Sequence, residues 1–115
     1  MAEWRKVAKS QGWLAGVHTV RVKLGAREHT VQVLDSGSEL ELVARVPGGV
    51  RTGDLLSLLE SNRRNGLAWW HVSEDAAVAT SRCPRSATSA DMALYLLETA
   101  RLADRYELSV SEVDR

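Results

Sequence analysis

The sequence predicts a single α+β domain in which helices back a five-stranded antiparallel sheet, with elements in the order α-β-β-β-α-β-β-α. Three observations support this. Apolar and polar residues alternate at 20–24, 31–33 and 40–46, the period of half-buried strands. Clusters of Gly, Asp and Ser punctuate these runs as hairpin turns do. The long stretch closing at Ala103-Asp104-Arg105-Tyr106-Glu107 instead carries its apolar residues at helical spacing.

In chain order, Trp4, Val7, Ala8 and Gln11 recur at helical spacing and predict a short helix over 3–11, with Gly12 as its stop. Val20, Val22 and Leu24 alternate with Arg21 and Lys23 in the first strand. Gly25-Ala26-Arg27-Glu28 reads as a turn, and Val31 and Val33 continue the alternation in the second strand. Asp35-Ser36-Gly37-Ser38 is a strong hairpin signal, because Gly37 accepts positive φ and Asp35 can bond the turning backbone. Leu40, Leu42 and Ala44 form the inward set of the third strand, which ends at Pro47-Gly48-Gly49.

The second half follows the same grammar. Thr52 is read as the N-cap of a helix whose first turn holds Asp54. Leu55, Leu56, Leu58 and Leu59 supply a broad apolar face, and Asn65-Gly66 supplies the stop. Residues 67–72 and 77–82 predict a hairpin around Ser73-Glu74-Asp75. Thr88-Ser89-Ala90-Asp91 resembles a capping box. Beyond it, Met92, Leu96, Leu97, Ala100 and Ala103 predict the buried stripe of the closing helix. The tail from Leu108 is expected to be extended or frayed. No repeat, low-complexity segment or linker divides the chain.

Size and charge narrow the functional classes. A chain of 115 residues with 44% hydrophobic composition has enough material for one core. Fifteen basic and fifteen acidic residues cancel, which removes long-range steering toward nucleic acid or an anionic membrane. The first twenty residues lack a signal-peptide core, and no apolar run approaches the roughly 20 residues of a membrane-spanning helix. A cytoplasmic protein without nucleic-acid or membrane partners is therefore expected. Cys83, the single cysteine, can form neither an internal disulfide nor a cysteine zinc site.

The element order also resembles the YbjN family of small bacterial proteins, which shares the fold of the type III secretion chaperones. The matching residues are Val43-Ala44-Arg45-Val46-Pro47, the Leu-rich helix closing on Asn62, the strand Leu67 to Val72, the Pro84 bend and Ala103-Asp104-Arg105-Tyr106. The likeness covers about residues 15–107 and rests on hydrophobic spacing and punctuation. It implies a protein-interaction domain, often dimeric. Secretion chaperones are typically strongly acidic, whereas this chain is neutral with a pI near 6.8 and a short first helix. Those departures favour a YbjN-like regulatory or chaperone-like protein.

No catalytic constellation emerges. His18, His29 and His71 lack the short spacing that sets two ligands on one helix face, so neither a metal nor another cofactor is expected. No Gly-x-Ser-x-Gly elbow, phosphate loop or dinucleotide fingerprint is present. Cys83, flanked by Arg82 and Arg85, could be an activated thiol but reads better as a small residue at a strand end. The sharpest anomaly is Trp69-Trp70. Neighbouring strand residues face opposite sides, so one indole belongs in the core and the other on the sheet's second face. The pattern does not assign which is which. An exposed indole has the profile of an interface anchor. Arg21 and Lys23 share that outward face with Glu39 and Glu41, and the opposite charges are expected to attract across the middle strand. The resulting expectation is a non-enzymatic, homodimeric interaction domain that binds a protein partner through Trp69, Trp70, Arg21, Lys23, Glu39 and Glu41. A regulatory module holding a small molecule between sheet and helices is the alternative. An enzyme assembled from His29, His71 and scattered acids is a third.

Overall fold

A computed structural model describes residues 3–46, 48–73 and 76–113. Five antiparallel strands lie in the order β1-β2-β3-β5-β4. They are β1 (Thr19–Leu24), β2 (Arg27–Asp35), β3 (Glu39–Arg45), β4 (Trp69–Ser73) and β5 (Ala76–Pro84). Helices α1 (Trp4–Ser10), α2 (Leu55–Ser61) and α3 (Ser89–Val113) complete the predicted order. No helix of the described residues is long and apolar enough to cross a membrane.

Local chemistry explains the boundaries. Helix α1 ends where Gly12 takes φ +76°. Trp13 N–H donates to the Ala8 carbonyl at 2.8 Å and Gly12 N–H to Lys9 at 3.1 Å, a Schellman pair that satisfies the last carbonyls. In the β2–β3 hairpin the Gly37 N–H donates to Asp35 Oδ1 at 2.9 Å, while Gly37 itself sits at φ +82°, as its turn position requires. Helix α3 begins with the Asp91 N–H donating to Thr88 Oγ1 at 3.1 Å, so Thr88 is the N-cap.

The core lies between one face of the sheet and the helices. Alternation delivers Val20 and Val22, Val31 and Val33, and Leu40, Leu42 and Ala44 to that face, where Met92, Leu96, Ala100 and Ala103 of α3 meet them. Two hydroxyls are buried in this interface. Thr99 Oγ1 donates to the Tyr95 carbonyl at 2.7 Å, so Ser81 Oγ, 2.7 Å from Thr99 Oγ1, is the donor in that contact. Both groups are thereby paired, as buried polar groups must be.

Several expectations are corrected. Only Gly25 and Ala26 turn the first hairpin, and Arg27 and Glu28 already pair with Leu24 and Lys23. Thr52 makes no side-chain cap; it opens a short 3-10 turn, Thr52–Asp54, that leads into α2. The leucines of α2 do not make a buried face. Leu55 and Leu58 are half-buried, and Leu56 is 69% exposed. The helix ends at Ser61, before Asn65-Gly66. Helix α3 runs through the expected tail to Val113, because Leu102, Ala103 and Tyr106 prolong its buried face. Pro47, Glu74 and Asp75, which figure in the predicted strand end and hairpin turn, lie outside the described residues.

Candidate functional site

Among the described residues, helices cover one face of the sheet only, and every residue expected at an interface except Trp70 falls on the other. Trp70 points beneath the helices, 3% exposed, with its ring edge-to-face on Tyr106 at 6.1 Å between centroids. Its partner indole, Trp69, pairs with Thr80 on β5 and is half-buried on the open face. Thr80 in turn lies opposite Val43, and Val43 opposite Gln32. A central row therefore runs Gln32, Val43, Thr80, Trp69 across four strands.

Charges flank that row unequally. On one side lie Arg21, Lys23, Arg45 and a single carboxylate, Glu28. On the other lie Glu39 and Glu41 with Arg82, which pairs with Glu41 in register. The expected attraction of Arg21 and Lys23 to Glu39 and Glu41 is not the one formed. Both cations reach Glu28, each at 3.8 Å, because the Lys23–Glu28 register places that carboxylate directly beside them. Pairs this exposed contribute about 0–1 kcal/mol.

A second constellation was not anticipated from the sequence. His29 follows the inward parity of Val31 and Val33 and is 1% exposed. Its Nε2 lies 2.8 Å from Asp104 Oδ1 and 3.3 Å from Glu107 Oε2. Arg27 Nε and Nη2 donate to the two Asp104 oxygens at 2.6 and 3.0 Å, a bidentate fork. Those hydrogen bonds hold the Asp104 carboxyl below the usual carboxylate range; burial opposes them, and His29 adds a further downward pull. The same pairing raises the Arg27 guanidinium. Asp104 and Glu107, three residues apart, share one face of α3. The sequence signal was there: the stripe Leu96, Ala100, Ala103 continues into two acids, and strand parity turns His29 toward them.

The remaining candidates separate. His18 and His71 are exposed and stand apart from this cluster. Cys83 is fully buried. Burial pushes its thiol up to about 11, with Asp91 adding to the effect, so the activated thiol is not realised. Arg85 instead pairs with Asp35 and donates to the Gly37 carbonyl, and Arg82 faces the opposite side of the sheet. A cavity of about 340 Å³ opens between α1, the β2–β3 end of the sheet and α3, lined by the apolar Trp4, Val33, Leu40 and Met92 and by the polar Glu3, Arg5, His18, Asp35 and Arg85. Elsewhere, Asn62 grips β4: its Nδ2 donates to the Trp70 carbonyl at 2.9 Å, and the Trp70 N–H donates to its Oδ1 at 2.7 Å. The Tyr106 hydroxyl donates to Asp54 Oδ2 at 2.8 Å and accepts from the Arg51 N–H at 2.9 Å, tying α3 to the approach to α2.

No protein-family model matches the sequence, and no curated protein matches it significantly.

Proposed function

We propose that this chain is a non-enzymatic, cytoplasmic protein-interaction domain, chaperone-like or regulatory in the manner of the YbjN family, that binds through its open sheet face. Its first partner on that face is a second copy of itself. The observation that carries this reading is the charge distribution about the row through Val43, Thr80 and Trp69. A two-fold axis laid along that row, across the strands, sets Arg45 of one copy against Glu41 of the other and brings the two Trp69 indoles together. Like parts then meet like parts only along this uncharged row, and Arg45 meets Glu41 on either side of it, as a self-complementary interface needs. Trp69, at the β4 end of that row, supplies the large contact area of an interface anchor.

Light scattering on the eluting protein between about 1 and 100 µM tests this. The expected mass is about 25 kDa, twice the 12.7 kDa of the chain. Trp69→Ala is expected to elute as a monomer with its melting curve preserved. A monomeric parent protein throughout that range, or a Trp69→Ala variant that dimerises like the parent, would overturn the reading.

The cavity between α1, the sheet and α3 favours a second reading, a small-molecule regulatory module. Its volume of about 340 Å³ falls at the lower end of ligand pockets, about 300–1,000 Å³. Its wall is apolar and its charges are already paired, Arg5 with Glu3 and Arg85 with Asp35, which would suit a small, largely apolar ligand. A copurifying ligand found by native mass spectrometry, and lost on Leu40→Trp, would favour it.

A further inference from the structure

We infer that His29, Asp104 and Glu107 form a binding site for a divalent transition-metal ion. One proton there faces two carboxylates. Facing both acids, the His29 Nε2 has a single hydrogen to give, and at 2.8 Å it goes to Asp104. Glu107 Oε2 lies 3.3 Å from the same nitrogen, yet it is buried and accepts no hydrogen bond. A buried carboxylate oxygen without a donor is costly. Arg27 does not relieve it, because its fork is spent on Asp104. A cation in place of the Nε2 proton would serve Nε2 and both carboxylates at once, with the imidazole's single N–H then carried on the buried Nδ1.

The geometry suits an ion. One imidazole nitrogen and two carboxylate oxygens lie within 4.8 Å of one another. The 2.8 and 3.3 Å separations approach the spacing of about 3–3.5 Å between neighbouring ligands when metal bonds are about 2.0–2.2 Å long. The donors come from two packed elements, a strand and the helix laid across it, so they are preorganised. Asp104 Oδ1 keeps a lone pair for the ion while Arg27 fixes the carboxylate plane, the supporting part that hydrogen bonds to metal-binding carboxylates play. An imidazole beside two carboxylates selects zinc, manganese or ferrous iron over the all-oxygen preference of magnesium and calcium. Glu107 remains 31% exposed, which leaves a route for the ion and a position for water.

The test uses the full chain, stripped with chelator and titrated with zinc chloride by calorimetry, with magnesium chloride as the control. We expect one zinc per chain, a raised melting temperature with zinc, and neither effect with magnesium. Glu107→Gln, at a partly exposed position, should melt like the parent without metal and bind zinc at least about tenfold more weakly. The double variant His18→Asn/His71→Asn, altered only at exposed histidines, should bind as the parent does. Absence of zinc binding at millimolar concentration would overturn the proposal. So would undiminished binding by Glu107→Gln, or loss of binding in the exposed-histidine variant, since either puts the zinc elsewhere. If Glu107→Gln folds poorly, cobalt absorption spectra decide: intense visible bands in the parent require a low-coordinate site, and a spectrum of free aqueous cobalt refutes it.

Discussion

The two faces of this sheet are made from the same strands, residue by residue in alternation, yet they have different physical tasks. The covered face is apolar and holds the molecule together: Val22, Val31, Leu42 and Trp70 meet α1 and α3 there. The open face mixes Thr, Gln and charges with the apolar Val43 and Val78, which are buried, and Leu34, which is exposed, and no helix of the described residues covers it. Trp69 and Trp70 condense the contrast into one dipeptide. A single step along the backbone separates a core residue from a candidate anchor, so the same substitution should act on folding in one case and on association in the other.

The largest break in that comparison should come from Trp70→Ala. It empties a site closed by Tyr106 and Ala79, and large-to-small changes of this kind cost about 3–5 kcal/mol. That is a large share of the total stability of a small domain. Urea melts should show a sharply lowered midpoint, and a midpoint near that of the parent would mean the covered face does not depend on this indole. Next in size is Asn62→Ala, expected to cost about 1–3 kcal/mol by leaving the Trp70 N–H and carbonyl without their partner. A loss within error would show that water replaces the amide.

Acid should then distinguish buried from exposed charge. Asp104 and Asp35 are both held below the ordinary carboxylate range, the first by Arg27 and the second by Arg85. A depressed folded-state value means the stabilisation is complete above the ordinary value, about 3.9, and is lost as pH falls through the lower folded one. Melting curves from pH 7 to pH 2 should therefore fall at the acid end. Asp104→Asn should flatten that fall more than Asp35→Asn, whose side chain is mostly exposed and screened. The reverse order would count against a dominant role for the buried network. Smallest for folding is Trp69→Ala, expected to lower the stability read from urea melts by under about 1 kcal/mol while weakening self-association by about 2 kcal/mol or more. Severe destabilisation would make Trp69 a core residue after all.

Much of the fold could be read from the sequence because short-range rules govern it. Strand parity, the Gly37 hairpin, the Gly12 stop and the Thr88 cap depend on residues only a few positions apart. What was misread depends on partners distant in the chain. Four leucines in α2 look like a core face, but amphipathicity cannot say whether a surface waits opposite, and here Leu56 and Leu59 remain exposed. The split of Trp69 and Trp70 was legible from alternation, whereas its direction required the register with Thr80 and Ala79. The His29, Asp104 and Glu107 cluster joins residues more than seventy positions apart. Reading Arg27 and Glu28 as a turn hid the start of the strand that carries His29 inward.

The side-chain amide of Asn62 has one more consequence. It both donates to and accepts from Trp70, as a neighbouring strand's backbone would, and so occupies the outer rim of β4. At the opposite rim, Arg21 N–H donates to the Trp13 carbonyl at 2.7 Å, and Ala15 and Gly16 donate to Thr19. Both borders of the sheet are thus closed in part by the chain itself. Sheets with unfinished borders recruit foreign strands and grow into fibrils. Here growth by strand addition is obstructed at each end, so concentrated protein should resist fibrillar aggregation, and any ordered assembly must stack sheets rather than extend them.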